Sequence, residues 1–179
     1  MDHQDVIDFW FVEFGPAQWW RRDPDFDRHV AKTFGAVHAR AVQCELYAWR
    51  AHPLGRLAEI IVLDQFSRNI YRGTARAFAA DSLALALAQE AVAARVAADL
   101  EPDQRSFLYM PYVHSESRQI HEIAVRLFSG PGLEANLDSE IRHKAIIDRF
   151  GRYPHRNAIL GRVSSEEEGE FLKEPGSSF

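Results

Sequence analysis

One cysteine, Cys44, stands among 179 residues. A lone cysteine cannot close an internal disulfide, so nothing of that kind staples the fold, and a reducing, cytoplasmic setting is expected. Its surroundings, HARAVQCELYAW, read as helix without an activating neighbour, so Cys44 is expected to be a packed side chain and not a nucleophile. No run approaches 18 uncharged apolar residues, which leaves no membrane-spanning helix. The opening MDHQDVIDFWF carries acids where a signal peptide would carry bases, so none is expected. Strand patterning is nearly absent. A phosphate loop ending in GK[ST], a GxSxG elbow, CxxC and HExxH are all missing, so there is no familiar nucleophile–base set and the sequence names no cofactor.

What is present is helix after helix. Hydrophobic residues make up 46% of the chain, charged residues 26% and aromatics 12%, with a net charge of −5. That is the composition of one soluble globular domain, 1–179, able to bury roughly 70% of its unfolded surface. DVIDFWFVEF opens with Val6, Phe9 and Trp10 on one stripe. Asp23 as N-cap and Pro24 at the first position start a helix expected to run to about residue 50. Its apolar positions Phe26, Val30, Phe34, Val37 and Ala41 recur at helical spacing. Pro53 opens a helix closed by Gly73, and an alanine-rich helix is expected from Phe78 to about Val96. Another begins at Pro102, and Ser115 or Ser117 caps the next, which reaches Phe128. After Gly130, Pro131 and Gly132 a helix spans 134–150, and Ser164 with Glu167, or Ser165 with Glu168, boxes a short last one. The tail EPGSSF (174–179) is expected to fray. Seven to eight antiparallel helices with short connections make an all-α bundle or solenoid.

Polar residues that fall on apolar stripes carry the functional signal. Leu57, Ile60 and Ile61 define a buried face, and Asp64 and Arg68 continue it, four apart with the acid first. An ion pair entering a core is expensive unless well satisfied. It either cross-links helices or serves a ligand. His143 heads a similar stripe with Ile146, Ile147 and Phe150. A histidine so placed is usually a hydrogen-bonded core residue, but His155 follows it and YVHSES adds His114 and Glu116. These four could also ligate a metal, although no HxxxH or ExxH spacing joins them. RFGRYPHRNAILGR (149–162) places four arginines and a histidine in fourteen positions without a carboxylate. Guanidinium forks suit phosphate or carboxylate ligands, and they equally suit pinning an irregular loop to Asp64, Asp81 or Glu116. The basic patch is local and the chain acidic, so no nucleic-acid partner is expected.

The segments LDQFSRNIYRGTARAFAAD (63–81), YMPYVHSES (109–117) and RFGRYPHRNAILGR together resemble the bacterial DUF924 family, over nearly the whole chain. The resemblance implies an all-α, tetratricopeptide-like (TPR-like) helical fold and names no activity. The family's characteristic polar positions correspond here to Asp64, Gln65, Arg68, Asn69, Arg72, Asp81, His114, Glu116, His143, Arg152, His155, Arg156 and Asn157. Many members carry glutamate where this chain has Val113.

Three functions fit. In the first, Arg68, Arg72, Arg152 and Arg156 hold a small anionic metabolite while His114 or His143, beside Glu116, moves a proton. In the second, the helices form an interaction module for a protein or peptide partner. In the third, His114, Glu116, His143 and His155 hold the metal of a hydrolase. The aromatic opening, with Trp19 and Trp20, is expected to be core, and a homodimer would be its other use.

Overall fold

The computed structural model describes residues 1–178; Phe179, at the end of the expected tail, lies outside the described residues. Among the described residues there is no strand, and the chain is all helix and turn. Helix α1 (His3–Asp8) starts at Asp2, whose carboxylate accepts from the Gln4 and Asp5 N–H groups while Asp5 answers to the Asp2 N–H. It runs into a π turn, Phe9–Glu13, and buries Val6, Ile7, Phe9 and Trp10. The single turn α2 (Pro16–Trp19) leads to α3 (Pro24–Val42), which begins at the Asp23 cap as its sequence predicts.

Helix α3 stops at Val42 and not near residue 50. Cys44 takes a left-handed conformation, φ 59°, which no helix continues through. The chain then drives Leu46 into the core and crosses a 3₁₀ turn, Tyr47–Ala51. Cys44 is therefore exposed, contrary to the packed side chain expected of it, because the helix it was read into has already ended.

Helix α4 (Pro53–Ile61), a π turn (Val62–Phe66) and α5 (Ser67–Ile70) form one continuous run. Gly55 lets the preceding 3₁₀ turn cross closely, since a Cβ there would lie 2.0 Å from the Trp49 carbonyl oxygen. Helix α6 (Asp81–Ala93) begins three residues later than the alanine-rich pattern predicts, because Ala75–Phe78 winds as a 3₁₀ turn of its own. Its buried Ala84, Ala88 and Ala91 allow α4 and α7 (Pro102–Val113) to pack close. Helices α8 (Arg118–Phe128) and α9 (Glu134–Phe150) follow, Gly151 ending α9 with φ 69°. Of the two capping boxes the sequence offers for α10 (Glu166–Phe171), Ser165 with Glu168 forms. Residues 174–178, expected to fray, turn back on α10, with the Ser177 hydroxyl donating to the Leu172 carbonyl at 3.2 Å.

Two apolar clusters result. The larger gathers Trp10, Phe34, Phe66 and Phe107 with Leu57, Ile60 and Ile61, all fully or almost fully buried. Trp10 meets Phe107 edge-on at 5.4 Å, and Phe34 lies 4.7 Å from Phe66. Such aromatic pairs add about 0.5–1.5 kcal/mol each beyond their buried area. The smaller holds only Ile146, Ile147 and Tyr153, flanked by Phe150 and Phe171. Between the clusters lies a cleft.

Candidate functional site

The cleft encloses about 830 Å³. Gln65 reaches it from the π turn, Arg68 and Asn69 from α5, Arg72 from the turn after α5, His114 from the end of α7, His143 from α9, and His155 and Arg156 from the 3₁₀ turn Pro154–Arg156.

Asp64 organises one wall. Fully buried, its Oδ1 lies 3.0 Å from Arg68 Nη1 and 2.7 Å from His114 Nδ1, and its Oδ2 accepts from Gln65 Nε2 at 2.6 Å. Burial alone would raise the carboxyl; the Arg68 charge, then His114 and Gln65, outweigh it and bring it down to about 2. An ionised Asp64 can only accept, so His114 donates its Nδ1–H to it and Nε2 is left as the basic nitrogen of a ring that lines the cleft. Burial and the Arg68 charge lower the His114 pKa, so at neutral pH the ring is uncharged. Arg68 also grips Asp81 with both Nη atoms, at 2.9 and 3.1 Å.

The other expected cleft residues divide. Asn69 and Arg72 both donate to Asp27 on α3, at 2.8 Å, and so tie α5 to α3. His143 donates Nδ1–H to the Ser139 carbonyl at 2.8 Å, and burial lowers its pKa to about 4. Burial, then Arg156, does the same to His155. Three neutral imidazoles thus face one cleft at neutral pH.

Glu116, Arg152 and Asn157, expected in the cavity, sit instead in a seam beneath the 149–162 stretch. Glu116 accepts the Tyr153 N–H at 2.7 Å and both Nη atoms of Arg162 at 2.6 and 2.9 Å. Arg152 grips Glu168 at 2.6 and 2.7 Å, and buried Asn157 donates to Ser164 and Glu168. The reason is local: a segment with only one 3₁₀ turn must satisfy its polar groups with side chains. Glu116 being so engaged, it does not join the histidines, and no group of three or more His, Cys, Asp or Glu among the described residues is placed to hold a metal ion.

The four arginines of RFGRYPHRNAILGR can now be told apart. Arg149 pairs with Glu167, Arg152 with Glu168 and Arg162 with Glu116. Arg156 differs. It is buried, packs at 4.6 Å on Phe78 and 4.7 Å on Tyr153, and touches only one oxygen of Asp81, at 3.3 Å, an oxygen Arg68 already uses. Its buried Nε has no hydrogen-bond partner among the described residues.

The model of the family described as "Bacterial protein of unknown function (DUF924)" matches residues 6–176. The chain belongs to the DUF924 family. Among solved structures, a protein of unknown function from Agrobacterium tumefaciens, ATU0120, shares 36% identity over 96% of each chain, with a TM-score of 0.88. No curated protein matches.

In this DUF924 chain the cleft is also lined by residues outside the expected site set. Trp19 and Trp20 wall its mouth with Arg21 and Arg22. Trp20 is 59% exposed and stacks on Phe107 at 5.8 Å, so this tryptophan is not the core residue expected, whereas Trp10 is. Glu140 and Tyr153 line the inner end. Glu140 lies one turn before His143 on the same helical stripe, a periodicity the sequence carries openly. Beside Ile141 and Arg142 it looks like solvent-facing polarity.

Proposed function

We propose that the cleft binds a small anionic metabolite and that His114, oriented by Asp64, exchanges a proton with it. The observation that carries this is Arg156. Its three companions in the 149–162 stretch are each held by a carboxylate of their own, while Arg156 shares Asp81 with Arg68 and keeps a buried Nε donor without an acceptor among the described residues. A phosphate or carboxylate oxygen is the acceptor that fits a guanidinium edge. Arg21, exposed at the rim, adds positive charge that favours entry. The His114–Asp64 contact supplies an orienting carboxylate and a neutral imidazole with Nε2 free to accept, the pairing that general-base chemistry uses.

A peptide with a carboxylate would be a second occupant. The exposed Trp20 ring at the rim favours it, as does the TPR-like helix arrangement that the family resemblance implies. The small molecule is preferred because Arg156 lies deep, 6% exposed.

Calorimetric titration and thermal shift with inorganic phosphate, phosphate monoesters and dicarboxylates test the proposal. Binding is expected to weaken at least tenfold in Arg156→Gln and to change less than twofold in Arg149→Gln. No shift with any of these anions at millimolar concentration would end it.

A further inference from the structure

Behind Tyr153 lies a second polar group that the anion reading does not use. Glu140 and His121 are both fully inaccessible to solvent, on α9 and α8, with Nδ1 of His121 2.7 Å from Oε1 of Glu140. The other imidazole nitrogen, Nε2, lies 2.8 Å from the Ser115 carbonyl oxygen. A carbonyl only accepts, so Nε2 carries a hydrogen. The Tyr153 hydroxyl, 3.3 Å away, donates to the Val113 carbonyl at 2.5 Å and leaves its oxygen toward the same N–H.

Fixing the proton on Nε2 determines what Glu140 can do. One proton is shared between Nδ1 and Oε1. Either the imidazolium faces a carboxylate, or a neutral imidazole accepts from a carboxylic acid protonated on Oε1. In both forms Oε2 bears no hydrogen, so it is an acceptor in both. The pair as a whole is uncharged either way. Oε2 is buried, has no donor among the described residues, and belongs to a side chain that lines the cleft. Leaving such an acceptor unsatisfied is costly, and a ligand donor would relieve the cost.

The acceptor and the anion-seeking cation flank the same residue. Arg156 packs on the Tyr153 ring, while the Tyr153 hydroxyl reaches His121, which holds Glu140. We infer that the ligand of this cleft carries, besides its anionic group, an O–H or N–H donor, and that Glu140 Oε2 receives it. The class is hydroxylated or amino-bearing anions: hydroxy acids, amino acids and the phosphate esters of polyols. This rests on the anion-binding reading and narrows it.

The test compares anions matched in size and in their acid groups. Succinate is titrated against malate and aspartate, and propyl phosphate against glycerol 3-phosphate, by calorimetry on the full chain. The donor-bearing member is expected to bind roughly tenfold or more tightly, about one hydrogen bond to a charged or buried group. Malate reports a hydroxyl donor and aspartate an amino donor. Glu140→Gln should keep the preference, because its amide N–H can serve His121 Nδ1 while its oxygen takes the place of Oε2. Glu140→Met should reduce the preference to less than twofold, with succinate affinity little changed.

Equal binding within each pair would overturn the inference while leaving anion binding intact. So would a preference that survives Glu140→Met. Loss of all anion binding in the wild type would instead strike the proposed function. If Glu140→Met does not fold by circular dichroism, the paired affinities of the wild type and Glu140→Gln decide alone.

Discussion

The aromatic core around Trp10 and the seam beneath the 149–162 stretch hold one chain by opposite means. In the core, Trp10, Phe34, Phe66 and Phe107 meet from four different helical segments without one polar contact among their rings. In the seam, Ile146, Ile147 and Tyr153 form a small buried apolar cluster, and three carboxylate–guanidinium pairs secure the rest. The difference follows from secondary structure. Helices satisfy their own backbones and are free to bury apolar stripes, whereas an irregular segment must recruit side chains for its peptide groups. The cleft lies where the two regimes meet, which is why it can be both walled by aromatics and lined with charge.

The sharpest break of this contrast is Trp10→Ala, which should cost about 3–5 kcal/mol in urea unfolding, as large aromatic deletions in tight cores do. Glu116→Gln attacks the seam. It weakens two charge-assisted contacts from half-buried Arg162 and should cost about 1.5–3 kcal/mol. Hydrogen exchange is expected to accelerate in residues 153–162 while α4 stays protected. The same loss spread evenly over both regions would refute the distinction.

Acid separates cleft from seam more gently. Burial lowers the pKa of His143 and His155 to about 4, so the unfolded chain takes up protons near 6.5 that the folded chain refuses until about 4. Their contribution to stability is full above pH 6.5 and fades as pH falls toward 4. Arg152 holds Glu168 down to about 2, and burial notwithstanding, Arg162 and the Tyr153 N–H hold Glu116 below its ordinary 4.5. Their contribution is complete above 4.5 and is lost between there and about 2. Urea midpoints measured from pH 7 to 3 should therefore fall in two stages, and His143→Gln should shrink the upper one. The smallest effect belongs to Arg28→Ala: its pair with Asp25 is largely solvated, and the change should stay within about 0.5 kcal/mol.

Much of this contrast is legible in the sequence. The stripe Leu57, Ile60, Ile61, Asp64, Arg68 predicts a buried ion pair, and that pair is present at 3.0 Å. Glu116 is legible as one anchor for a loop arginine, but which arginine meets it, and where Arg152 and Asn157 sit, is not. Their partners stand 46, 16 and 11 positions away, and which carboxylate a given arginine meets depends on how α7, α9 and α10 come together. Cys44 and Trp20 lie outside the core for a related reason. Composition says which residues prefer burial, but a single left-handed residue or a one-turn helix decides which way the chain leaves. Glu140 was legible by period and passed over, because a glutamate among charged neighbours looks ordinary until its partner, His121, is known.

The π turn at Val62–Phe66 sets the angular phase of everything after it. A π turn holds one residue more than the α-helical turn it replaces. Removing one residue there would rotate Arg68, Asn69 and Arg72 by about 100° around the helix axis. Arg68 would leave Asp81, and Arg72 would leave Asp27, without any change in their own identity. The site is thus specified by a count of residues as much as by their kinds.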